Sequence, residues 1–153
     1  MDSSLMQTQT SATSLPNRVE FAEQTEQLLE FSARTQAKAV MLFITFDSLV
    51  DDINQRQNNL AIKAISKRLL TNARESDIYA HLDDMNFANL SIATSEQHAP
   101  ILVEKLKNQL AEPITLEDGL MIRLNAKVGA ALFPEHGSDY QSLLDKAMQS
   151  LHG

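Results

Sequence analysis

An almost uninterrupted apolar run, "AVMLFITF" from Ala39 to Phe46, constrains the fold of this chain more than any other feature. The run is rich in β-forming residues and is far shorter than the roughly 20 apolar residues that cross a bilayer. Alternate side chains of a strand point to opposite faces of a sheet, so a strand that is apolar throughout must be covered on both faces. The run therefore predicts a central strand.

Helical and strand patterns alternate along the rest of the chain, with two hairpins. The ordered part is predicted to begin at Leu15, where Pro16 and the helix cap Asn17 precede the first helix. The predicted elements are a helix to about Gln36, the strand 39–46, a helix 60–72, strands 77–82 and 86–93 around an acidic turn, a helix 95–110 with Ile101, Leu102, Leu106 and Leu110 inward, a short strand, a turn at 117–119, a long strand ended by Pro134, and a final helix capped by Ser138. This order, α–β–α–β–β–α–β–β–α, predicts an α/β (α+β) domain with a mixed, partly antiparallel sheet and helices on its faces.

Composition limits the partners and the cellular setting. The 153 residues, 43% of them hydrophobic, are enough for one domain with a proper core. A net charge of −7 argues against nucleic acid and anionic membranes as partners, and the absence of cysteine excludes disulfides and thiolate metal sites. Residues 1–14 are polar and lack a basic start, so they predict a disordered lead-in or linker and not a signal peptide. These features predict a cytoplasmic domain without membrane contact.

The residues taken alone indicate no catalytic or cofactor site. None of the four glycines lies in a glycine-rich loop before a helix, which a phosphate cradle would need. No two histidines have helical metal-ligand spacing, and His81 is predicted to be a half-exposed structural residue. The acidic side chains that could be neighbours in space favour a solvated rim over a cation site; they are Asp47, Asp51, Asp52, Asp83 and Asp84.

Four ordered motifs carry a resemblance to a known family. They are "TSLPNR", "MLFITFD", "ISKRLLTNARESDIYAHLDDMNF" and "AKVGAALFPEHGSDYQSLLDKAMQSL". The motifs resemble TGLPNR, LLFLDLD, the helix and RxxD run that ends in R-[LY]-G-G-D-E-F, and ASIGIALYPEDGxDxxxLLxxADxAMY of the GGDEF domains, the diguanylate cyclases of bacterial cyclic di-GMP signalling. The resemblance extends from Thr13 to His152, so residues 15–153 are predicted to be one GGDEF domain. It implies a nucleotide-cyclase-like fold with a central mixed sheet of about five strands around a βαββαβ core.

The signature of the family is degenerate in this chain. Residues 83–87 read "DDMNF", and of GGDEF only Phe87 remains. In the family the two glycines let the hairpin approach guanosine triphosphate, whereas Asp83 and Asp84 add bulk and negative charge. The metal-binding acids of the family lie at the third signature position and on the central strand, where Met85 and Thr45 stand here. A thioether is a poor ligand for Mg²⁺, so the resemblance implies an inactive domain with no catalytic and no metal-binding residues.

Two further segments bear on nucleotide binding. Val50 replaces the phosphate-seeking lysine of the family, and Asn54 and Asn59 fall near its guanine-reading positions in a shortened loop. Arg74 and Asp77 retain the RxxD motif, which in the family is the inhibitory site that binds cyclic di-GMP. A guanidinium can hold guanine or phosphate through two hydrogen bonds, and a carboxylate can accept from the guanine edge. The alternative is that this pair only closes a helix and starts a strand.

The sequence therefore predicts a catalytically inactive GGDEF domain that acts as a regulatory or interaction module in bacterial cyclic di-GMP signalling. Its expected partner is a covalently linked EAL phosphodiesterase domain or sensory domain. A second hypothesis is a cyclic di-GMP receptor that uses Arg74 and Asp77. A third and less favoured one is a weak residual cyclase.

Overall fold

The computed structural model describes residues 15–47, 55–71, 73–74, 77–93, 95 and 97–151. Helices and strands alternate in the predicted order, except that the long C-terminal strand is divided into two. The elements are α1 (Arg18–Thr35), β1 (Lys38–Asp47), α2 (Gln55–Thr71), β2 (Ile78–Asp83), β3 (Asn86–Ala93), α3 (His98–Leu110), β4 (Ile114–Thr115), β5 (Met121–Ile122), β6 (Asn125–Phe133) and α4 (Tyr140–Gln149).

The main sheet has the strand order β2-β3-β1-β6, and each neighbouring pair is antiparallel. β1, α2 and β2 form a split βαβ unit, since β3 lies between the two parallel strands, and β3, α3 and β6 form a second such unit around β1. The βαββαβ core is thus confirmed. The expected mixed sheet of about five strands is corrected to four described strands with antiparallel ladders, because a third strand separates each parallel pair. β4 and β5 form a separate small sheet.

The strand β1 is central and buried on both faces, as its apolar run predicts. One face packs with α2 and α3, and the other packs with α1 and α4. The side chains of β1 alternate between the two clusters, with Val40, Leu42, Ile44 and Phe46 on the first side and Ala39, Met41 and Phe43 on the second. This two-sided burial fixes the register of β1 against β3 and β6, because a slip of one residue would exchange the two faces.

The first and last helices each begin with a capping box. Asn17 caps α1 in a capping box: its side chain accepts from the Glu20 N–H at 2.8 Å, and the Glu20 carboxylate accepts from the Asn17 N–H at 3.0 Å. The predicted cap of α4, Ser138, is wrong by one residue. Asp139 has the extended backbone of a cap and accepts from the Ser142 N–H at 2.8 Å.

Several predicted boundaries also shift. α2 begins at Gln55 and α3 at His98, so the helix predicted over 60–72 starts earlier and that over 95–110 starts later. Ile101, predicted to point inward, is 63% exposed, whereas the three leucines of α3 are buried. Residues 1–14 lie outside the described residues. Among the described helices, none has both the length and the apolar character of a membrane span.

Candidate functional site

The hairpin between β2 and β3 carries the signature positions and closes without glycine. Asp84 has a φ of +41°, in the left-handed region that aspartate tolerates better than most residues. His81, which is partly exposed as predicted, lies with Nε2 2.8 Å from the Asp84 carbonyl oxygen. A carbonyl only accepts, so Nε2 donates and holds the turn. Asp84 therefore occupies a position that glycine would fill with less strain, and the hydrogen bond from the His81 side chain offsets part of that strain.

A chain of side-chain hydrogen bonds lies beside the turn of this hairpin. The Thr45 hydroxyl donates to Asn86 Oδ1 at 2.6 Å, and Asn86 Nδ2 donates to Asp83 Oδ1 at 2.7 Å. Arg18 Nη2 donates to the other Asp83 oxygen at 3.0 Å. This polar chain, formed by Arg18, Asp83, Asn86 and Thr45, connects α1, the hairpin and β1. Its members bond to one another across the turn at residues 83–86, which we call the signature corner.

The charge at this corner is partly compensated. The hydrogen bond from Asn86 and then the Arg18 guanidinium hold the pKa of Asp83 below its usual range, so Asp83 is ionised at neutral pH. Met85, at the position of a metal-binding acid in the family, is partly buried and packs against the core cluster under α2 and α3. Across the part of the chain that the structure describes, no group of three or more His, Asp or Glu side chains could hold a metal ion. Val50, Asp51, Asp52 and Asn54 lie outside the described residues.

The two residues of the RxxD motif come together in a tight turn before β2. The Asp77 N–H donates to the Arg74 carbonyl oxygen at 2.9 Å, and the Arg74 N–H donates to Asp77 Oδ2 at 3.0 Å. The Asp77 side chain is only 3% exposed, yet its Oδ1 accepts no hydrogen bond within the described structure; Arg74 Nη2 is 3.8 Å away. The backbone and Oδ2 thus have a structural role, Oδ1 is a buried acceptor paired, among the described residues, only with Arg74 at 3.8 Å, and the half-exposed guanidinium is available to a ligand.

This turn forms one wall of a pocket of about 260 Å³, and α3 forms the opposite wall. Its polar lining combines both signs of charge with an aromatic hydroxyl and an amide, from Arg74, Asp77, Tyr79, Lys105 and Gln109. Burial first, and then the Asp77 carboxylate, raise the pKa of the Tyr79 phenol, which stays protonated as a donor. The pocket therefore offers cations, a buried acceptor and donors within a small volume, which suits a polar anionic ligand.

His98 belongs to this pocket, and sequence reasoning assigned it no role. It is the first residue of α3, is 9% exposed, and its Nε2 lies 3.1 Å from Ser91 Oγ and 3.5 Å from Arg74 Nη2. Burial and then the charge of Arg74 lower the pKa of His98, so the imidazole is neutral at neutral pH. No local pattern reveals this contact, because 24 residues separate His98 from Arg74.

Comparison with known proteins agrees with the fold. Residues 9–152 match the family described as "Diguanylate cyclase, GGDEF domain", and the chain belongs to the GGDEF family. Two Pseudomonas aeruginosa proteins are similar to it: cyclic di-GMP phosphodiesterase NbdA, 32% identical over 93% of this chain, and the bifunctional diguanylate cyclase/cyclic di-GMP phosphodiesterase MucR, 26% identical over 92%. The chain spans only 18% and 21% of their respective lengths. The solved structure of a delta-N mutant of TpbB from the same organism, which comprises only the GGDEF domain, aligns with a TM-score of 0.82 at 30% identity, covering 92% of this chain and 84% of that one.

Proposed function

We propose that this GGDEF domain makes no cyclic di-GMP and acts as a regulatory module in cyclic di-GMP signalling. The observation that carries this proposal is the polar chain across the signature corner. Arg18, Asp83, Asn86 and Thr45 bond to one another at the place where the resemblance puts nucleotide and metal. A substrate would have to break these bonds before it could use the same atoms.

Charge and ligand chemistry support the same conclusion. At an effective dielectric constant of 20, two like charges 4 Å apart repel by about 4 kcal/mol. Asp83 and Asp84 would repel the phosphates of a bound nucleotide in this way, and Arg18 offsets part of the repulsion at Asp83. Phosphoryl transfer depends on metal ions that neutralise developing charge, and Mg²⁺ prefers several oxygen ligands. Thr45 and Met85, at the two metal positions of the family, supply one hydroxyl and one thioether.

The activity test is direct. The domain is incubated with GTP and either Mg²⁺ or Mn²⁺, with the whole diguanylate cyclase TpbB as the positive control. We expect no cyclic di-GMP above the no-enzyme background, and no low-micromolar GTP affinity by calorimetry. Product that forms with this domain and disappears in the Asp84→Ala variant would refute the proposal.

The proposed partner is a linked EAL phosphodiesterase or sensory domain in the cytoplasm. NbdA and MucR, whose names include cyclic di-GMP phosphodiesterase activity, are several times longer than this chain. In a protein that joins this domain to a phosphodiesterase, we expect removal of residues 15–153 to change the hydrolysis rate. An unchanged rate and an unchanged response to nucleotide would argue against a regulatory role.

A second candidate function is a cyclic di-GMP receptor. The observation that favours it is the Arg74–Asp77 pair, which lines one pocket with a buried carboxylate oxygen that accepts no hydrogen bond from the described residues. The half-exposed guanidinium can bind a phosphate or a guanine edge, and a movement of the turn that exposes Asp77 Oδ1 would let this oxygen accept a guanine N–H.

Calorimetry with cyclic di-GMP tests this candidate. A charge-assisted contact contributes about 1.5–3 kcal/mol, so Arg74→Ala should weaken binding by roughly ten- to a hundredfold, and added salt should weaken the wild type. Arg34→Ala, the same charge change in the last turn of α1, serves as the control. Identical isotherms for wild type and Arg74→Ala, or no heat at high ligand concentration, would exclude the receptor function.

A further inference from the structure

The contact between His98 and Arg74 places a titratable group against the cation of the pocket. Arg74 Nη2 has no lone pair to offer, so His98 Nε2 accepts from it at 3.5 Å and also accepts from the Ser91 hydroxyl at 3.1 Å. This arrangement requires a neutral imidazole with its proton on Nδ1. A protonated ring would carry a second N–H, at Nε2, directed toward the Arg74 guanidinium, and would place two positive charges within hydrogen-bond distance.

Several groups around His98 decide how readily it takes a proton. Arg74 and Asp77 face it from the turn before β2, Tyr79 lines the same pocket from β2, Ser91 contacts it from β3, and Lys105 lies in the pocket wall on α3. Burial of the ring opposes protonation most, the charge of Arg74 opposes it further, and Asp77 favours it. The position of His98 at the start of α3 also opposes protonation, because a helix N-terminus carries partial positive charge.

We infer that anion binding in this pocket is linked to protonation of His98. An anion held by Arg74 neutralises the charge that opposes protonation and adds negative charge near the ring, so the imidazole takes up a proton as the anion binds. The linkage rests on the proposed receptor function for its natural ligand, cyclic di-GMP. The electrostatic coupling between Arg74 and His98 that underlies it needs no ligand.

The direction of the pH effect follows from this linkage. Bound ligand raises the pKa of His98 above its value in the free protein, which is below the ordinary value of 6.5. Affinity therefore increases as the pH falls through the pKa of the complex and levels off below that of the free protein. A rise of one pKa unit on binding corresponds to about a tenfold gain in affinity between the two limits.

The test combines calorimetry with NMR on the 153-residue chain. Cyclic di-GMP is titrated at pH 5.5 and 7.5 in buffers of different ionisation enthalpy, which reveals proton uptake. His98→Gln retains a hydrogen-bonding side chain but cannot titrate, so its affinity should lose most of the pH dependence. His136→Gln, on the loop after β6, removes a histidine outside the pocket lining and should behave as wild type.

The imidazole signal of His98, assigned by its absence in His98→Gln, reports the pKa directly. We expect this pKa to rise with cyclic di-GMP and also to rise, without ligand, in Arg74→Gln. If cyclic di-GMP binds but does not change the pKa of His98, and its affinity does not change with pH, the linkage is refuted and the receptor function survives. If no ligand binds but Arg74→Gln raises the pKa, the receptor function fails and the Arg74–His98 coupling stands. If cyclic di-GMP does not bind and Arg74→Gln leaves the pKa of His98 unchanged, both the receptor function and the Arg74–His98 coupling are refuted.

Discussion

Removing the Asn86 side chain should destabilise the domain more than its partly exposed position suggests. Asn86→Ala deletes the acceptor of the Thr45 hydroxyl and the donor to Asp83 Oδ1, so both ends of the polar chain lose their connection. A neutral hydrogen bond contributes about 1 kcal/mol, and one to a charged group about 1.5–3 kcal/mol. Asp83 is half exposed, so its bond belongs at the lower end, and the expected loss is about 2 kcal/mol in the free energy of unfolding.

Urea unfolding followed by far-ultraviolet circular dichroism measures this loss. With a slope of about 2 kcal/mol per M, the midpoint should fall by about 1 M at pH 7. The difference between wild type and variant should narrow in acid. The folded pKa of Asp83 is below its ordinary value of 3.8, so its contribution is present above that value and is lost as the pH falls through the folded pKa.

A matched control removes one exposed hydrogen bond elsewhere. Gln141 Nε2 donates to Asp145 Oδ1 at 2.9 Å within α4, and Gln141→Ala should change the free energy of unfolding by at most about 0.5 kcal/mol. If Asn86→Ala behaves like this control at pH 7, the polar chain does not stabilise the signature corner. A loss of equal size at neutral and strongly acidic pH would refute the role assigned to ionised Asp83.

Two further substitutions test contacts away from the pocket. Gly129→Ala should cost about 1–3 kcal/mol in urea unfolding, since a Cβ at Gly129 would overlap the backbone carbonyl of Ala147. An unchanged urea midpoint would contradict this packing. Asp139→Ala should lower the midpoint of thermal unfolding more than Ser138→Ala. The bonds to Ser142 hold the pKa of Asp139 down, so the difference between the two variants should fade as the pH falls below 3.8. Equal midpoints at neutral pH would contradict the assignment of the cap.

The candidate pocket was predictable only in part. The RxxD spacing was sufficient to predict that Arg74 and Asp77 meet, because three residues across a tight turn bring their side chains together. The two residues also hydrogen-bond to each other before β2, which is the structural part of the alternative; whether they bind a ligand as well stays a prediction. The opposite wall was not predictable, since His98 and Lys105 come from a helix whose apolar pattern specifies a buried face and not the neighbour that covers it. The misassigned Ile101, on the exposed side of α3, reflects the same limit.

The amino-acid sequence by itself determined the central strand, the order of the elements, the cap at Asn17 and membership of the family. These depend on local periodicity, turn chemistry and ordered motifs, which act over a few residues at a time. Only the tertiary structure decided how the degenerate hairpin is held, because Arg18 is 65 residues from Asp83 and Thr45 is 41 residues from Asn86. Such contacts follow from the register of β1 against β3 and from the packing of α1, and the burial of whole faces sets both.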